Sequence, residues 1–94
     1  TSEALAAAER AAALQPDNPG VRATLAGLYT ESGDLPRAIE EYQAVLQDRP
    51  DDADLYVGLA GAYFAGRQLD DARRAFDEAL RLDPNNRRAR IGRA

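Results

Sequence analysis

Apolar residues recur along this chain every three to four positions, in blocks separated by proline and glycine. Val21, Leu25, Leu28 and Tyr29 make one stripe, and Leu35, Ile39, Tyr42, Val45 and Leu46 the next. Leu55, Tyr56, Leu59 and Tyr63 make a third, and Leu69, Ala72, Phe76, Ala79 and Leu80 a fourth. That spacing puts each set on one face of an α-helix. Nowhere does a β-branched run alternate with period two, so the pattern predicts an all-α chain. The punctuation agrees. Asn18 before Pro19 reads as an N-cap followed by proline at the first helical position, and Gly33-Asp34 and Gly66 mark helix ends. Pro36 falls early in a helix, where its missing N–H costs little, and Asp51 and Asp52 supply a further cap.

The blocks repeat. Pro16, Pro50 and Pro84 are spaced by 34 residues, and residues 17–50 laid on 51–84 share nine identities without a gap. These include Leu25/Leu59, Ala26/Ala60, Gly27/Gly61, Tyr29/Tyr63 and Ala38/Ala72. Each unit therefore reads as a helical hairpin. Leu25, Ala26, Tyr29, Ala38, Tyr42, Val45 and Pro50, matched by Leu59, Ala60, Tyr63, Ala72, Phe76, Ala79 and Pro84, resemble the tetratricopeptide repeat pattern. The resemblance implies a right-handed helical-hairpin solenoid, with small residues letting helices approach and aromatics filling the gaps between layers. It reads residues 1–94 as a single repeat domain: 2–16 the second helix of a preceding repeat, 17–50 and 51–84 whole repeats, and 85–94 the start of a following helix. Ala4, Ala8 and Ala11 keep the register of that first element. Two positions depart from the pattern: Arg22 stands where the other unit has the aromatic Tyr56, and Val45 is larger than the usual alanine. Because one hairpin cannot bury both its faces, such units are expected to stack.

Composition narrows the chemistry. The chain has 94 residues and no Cys, His, Lys, Met or Trp. Nucleophile systems built on Cys or His, ordinary zinc sites, Schiff-base lysines and P-loops are thereby excluded, and no cofactor or metal is expected. No apolar run approaches the roughly 20 residues of a membrane span, and residues 1–10 do not read as a signal peptide. The missing initiator methionine suggests a segment of a longer array, so compartment stays open between bacterial cytoplasm and periplasm. A basic set made only of Arg, beside 20 alanines, points to a GC-rich bacterial gene.

Charged clusters have plain readings. Asp51, Asp52 and Asp54, like Asp70 and Asp71, sit where helix starts want acidic caps, without the glycine and distal Glu of a calcium loop. Glu40-Glu41 and Asp77-Glu78 read as solvated faces of second helices, so no catalytic role is expected. Net charge is −4, but Arg87, Arg88, Arg90 and Arg93 crowd the last eight residues, leaving an acidic body that repels phosphate; no nucleic-acid partner is expected. Gly27, Gly58 and Gly61 lie inside first helices, where each costs about 1 kcal/mol relative to Ala. By the resemblance, first helices line a concave groove, and the register puts Ala23, Thr24, Gly27, Val57, Gly58, Gly61, Phe64 and Arg88 on it. Family members that hold a carboxylate tail use Lys, Asn and Arg at matching positions, and of those here only Arg88 is compatible. Two readings of the glycines stand: close approach of a groove ligand, or tight helix packing. The expected function is a protein-interaction scaffold that binds a peptide or helix segment of another protein in the groove. Self-association by head-to-tail stacking is the alternative.

Overall fold

Local capping decides where these helices begin. The computed structural model describes residues 2–86, and among them there are five α-helices and no strand: α1 Ser2–Leu14, α2 Pro19–Ser32, α3 Leu35–Asp48, α4 Ala53–Ala65 and α5 Leu69–Leu82. The Asn18 side chain accepts from the backbone N–H groups of Gly20 and Val21 at 3.0 and 3.3 Å, while Pro19 opens α2 without an N–H to satisfy. Asp52 caps α4 by accepting from the Asp54 N–H at 3.1 Å. At α5 the acids Asp70 and Asp71 lie in the first turn, where their charge suits the positive end of the helix, but neither they nor Gln68 supply a side-chain cap bond.

The two first helices end alike in geometry and differently in sequence. After α2, Gly33 takes a left-handed conformation with φ of 90°, its N–H bonds to Thr30 O and the Asp34 N–H to Tyr29 O. After α4 the same pair of bonds runs from Arg67 N–H to Phe64 O and from Gln68 N–H to Tyr63 O. There the left-handed residue is Arg67, with φ of 62°, and not the neighbouring Gly66, whose φ is −87°. The glycine that marks the break in sequence is thus one residue short of the position that needs it.

Each helix packs on its successor in the chain, and α2 also touches α4. Short connections between successive helices make them antiparallel neighbours. The core is continuous through the stack: Leu25, Ala26 and Tyr29 on α2, Ala38, Tyr42, Val45 and Leu46 on α3, Leu55, Leu59 and Ala60 on α4, and Ala72, Phe76 and Ala79 on α5. The four alanines predicted at close crossings, Ala26, Ala38, Ala60 and Ala72, are all buried. Val45 is buried as completely as they are, so the larger residue is accommodated inside the second helix.

One hydrogen bond shows the repeat in three dimensions. Tyr29 of α2 donates its hydroxyl to Glu9 of α1 at 2.9 Å, and 34 residues later Gln43 of α3 donates to the Tyr63 hydroxyl of α4 at 3.3 Å. So α1 stands toward α2 as α3 stands toward α4. Among the described residues no helix is long and apolar enough to cross a membrane.

Candidate functional site

The first helices form the tighter layer. α2 touches α4, whereas no contact of comparable extent joins α1 to α3 or α3 to α5. A stack whose layers differ in spacing curves toward the tighter one, so the α2 and α4 side is the inner face.

On α4, residues 57, 58, 61 and 64 share one side of the helix, and 56, 59 and 63 share the opposite side. The first set does not behave uniformly. Phe64 is 61% exposed, a large apolar ring in solvent, and Gly61 has open space where its side chain would project. Val57, by contrast, is only 6% exposed and belongs to the core. Gly58 is explained from within the fold: a Cβ built on it would lie 2.6 Å from the ring of Tyr42, so the glycine makes room for that aromatic. On α2, Ala23 and Gly27 are half-buried, Ala23 packed against the core and Gly27 with its missing Cβ 3.7 Å from the Tyr42 hydroxyl. Thr24 is exposed and donates to Gly20 O at 3.0 Å. Arg88 lies outside the described residues.

Thr24 and Phe64 are therefore the exposed members of the sequence-predicted set, Gly61 is half-buried with open space over it among the described residues, and Val57 and Gly58 serve packing. Further along the same faces, Glu31 and Ala65 are exposed, and the exposed Asp54 accepts from the Asn86 amide at 3.1 Å. The tyrosine that explains Gly58 sits on a different helix, 16 positions earlier, and only the pairing of a second-helix aromatic with a groove glycine could have signalled it.

Three acidic residues on the second helices, Glu41, Asp71 and Glu78, are engaged by arginines. Glu41 pairs with Arg22 at 2.5 Å, while Arg22 also donates to Pro16 O at 2.5 Å. Glu78 pairs with Arg81 and is held below the usual carboxylate range by it. Burial, then the bond to Glu9, pushes the Tyr29 hydroxyl above the ordinary phenol range. Among the described residues no three carboxylates are grouped to hold a metal ion.

Comparison with known proteins bears on the whole length. A family model described as tetratricopeptide repeat matches residues 1–44 and again residues 30–94. The cellulose synthase operon protein C of Pseudomonas fluorescens (strain SBW25) is 39% identical to the chain over 62 residues, which is 66% of this chain and 5% of that protein. The 34-residue hairpins, their repeated tyrosine bond and the family match agree: the chain belongs to the tetratricopeptide repeat family.

Proposed function

We propose that this segment binds another protein through the inner face of α2 and α4, taking an extended or helical stretch with small or apolar side chains beside Phe64. Tetratricopeptide repeats are generally protein-interaction modules and typically non-catalytic, which sets the class. The observation that carries the finer reading is Phe64, 61% exposed, next to the open space over Gly61 one helical turn before it. An exposed aromatic can anchor a binding hot spot, and the missing side chain at Gly61 lets a partner's backbone approach beside it. Preformed helices lose little entropy on binding, so modest contacts suffice. The match to cellulose synthase operon protein C covers 5% of that protein, so it carries only the interaction class to this chain.

A second reading rests on Leu69. Its counterpart Leu35 packs against Gly66, with Cδ1 3.2 Å from where a Cβ would stand, whereas Leu69 is 58% exposed. The exposed Leu69 favours the alternative of self-association, in which a second copy stacks head to tail on α5. The primary reading is tested by placing Phe64→Asp and Gly61→Gln in the protein that carries this segment and identifying what co-purifies. A protein lost with both variants, yet retained with Glu40→Gln on the other layer, supports the groove. Unchanged recovery overturns it, and concentration-dependent light scattering then examines stacking.

A further inference from the structure

We infer that the outer side of α4 and α5 carries a second binding site, a pocket for an arginine side chain of a partner protein, walled by Tyr56 and Tyr63 and rimmed by Asp71 and Glu78. The inference rests on the reading of this segment as a protein-interaction module and places a contact on the face opposite the groove. Tyr56, Leu59 and Tyr63 project from the outer face of α4, and Asp71, Arg74, Ala75 and Glu78 from the facing side of α5, around a cleft of about 360 Å³. Two phenol rings and two carboxylates line the cleft beside one arginine, Arg74, and suit a planar cation that stacks on the rings and competes for the acids.

Repeat one shows what the fold puts in the corresponding place. Arg22 occupies the position of Tyr56 and Glu41 that of Ala75, and these two form an ion pair at 2.5 Å. Arg37, at the position of Asp71, lies with its guanidinium 5.8 Å from the centre of the Tyr29 ring. The outer face of repeat one is thus supplied with arginines from its own helices. In repeat two both arginine positions are changed, to Tyr56 and Asp71, and Ala75 removes the glutamate side chain, which opens the cleft. The surface left behind keeps the acids and gains the rings, and its own cations, Arg74 and Arg81, are held there only by exposed i,i+3 pairs along α5.

Charge favours the same guest. Residues 2–86 hold eight arginines against sixteen acids, so the body attracts cations at a distance. Arg74 stands at the rim with its side chain 81% exposed and reaches Asp71 only at 3.8 Å, and the Arg81–Glu78 pair is also a surface pair. Such exposed pairs exchange at little cost, so neither shuts the cleft. Arginine is preferred to lysine because its planar guanidinium stacks on a ring while offering several N–H groups to carboxylates.

The test is an NMR titration of the chain with N-acetyl-argininamide and with its neutral isostere N-acetyl-citrullinamide, read on the Tyr56 and Tyr63 ring resonances. The arginine amide is expected to shift both rings saturably, and the citrulline amide to bind about tenfold more weakly. Exchanging the pair, Tyr56→Arg with Ala75→Glu, installs the ion pair of repeat one at unchanged net charge, and is expected to abolish the shift at Tyr63. Ala75→Leu, which fills the floor with an apolar side chain, gives the same expectation without altering charge. Equal binding of the two amides, no saturable shift, or undiminished binding to folded pair-exchange or Ala75→Leu protein overturns the proposal. Phe64→Asp is expected to leave this titration unchanged, so the outer pocket and the inner groove fail or succeed separately.

Discussion

The two complete hairpins share a backbone plan and solve it with different side chains. Where α2 and α3 use Arg22 and Glu41, α4 and α5 use Tyr56 and Ala75. Both solutions pair one long residue on the first helix with a complementary one on the second, and neither residue makes sense without its partner. The same exchange occurs between layers. Tyr42 fills the space above Gly58, while one repeat earlier Ala8 and Thr24 hold those positions and line a cleft of about 330 Å³. Repetition at 34 residues therefore preserves helix placement, and the chemistry at each junction varies in pairs.

The largest effect expected is at the interlayer aromatics. Phe76 occupies in α5 the place of Tyr42 in α3, and both are buried. Phe76→Ala should cost about 3 to 5 kcal/mol, a large part of the stability of so small a domain, with Glu40→Ala near neutral. Thermal denaturation of the two variants checks this, and equal melting would show that the hairpins are not in the same register.

A smaller effect should separate the two glycines of α4. Gly58→Ala drives a methyl group to 2.6 Å from the buried Tyr42 ring, and overpacking there should destabilise by about 1 to 3 kcal/mol despite the better helix propensity of alanine. Gly61→Ala meets nothing within 4 Å among the described residues and should stabilise by about 0.5 to 1 kcal/mol. Chemical denaturation midpoints of opposite sign would sharpen the distinction between a packing glycine and a surface one. Movement in the same direction would erase it.

The helix ends offer the finest comparison. Gly33 and Arg67 hold equivalent left-handed positions, and only the glycine does so without steric cost. Arg67→Gly should raise stability by up to about 1 kcal/mol and Gly33→Ala should lower it by a similar amount. If Arg67→Gly instead destabilises, the arginine side chain contributes more at the surface than its backbone strain removes.

Much of this architecture is legible along the chain because its causes are local. Apolar spacing, the Asn18-Pro19 and Asp52 caps and the Gly33 end act within a turn or two, so the helices and their 34-residue repetition follow from residues near one another. Family membership follows as well, since the pattern residues are those that pack the helices together. The accessible residues of the groove were legible only in part. Register alone places Val57, Gly58, Gly61 and Phe64 on one side of α4, but whether a side chain is reached by solvent depends on what the neighbouring helix brings against it. Tyr42 arriving over Gly58 turns a groove position into a packing site, while among the described residues nothing arrives over Gly61. The shift of the left-handed residue from Gly66 to Arg67 likewise came from the geometry of the hairpin, which fixes where the chain must turn whatever residue stands there. The outer cleft is tertiary in the same sense, because Tyr56 and Ala75 line it from two different helices, at the positions where Arg22 and Glu41 form an ion pair one repeat earlier.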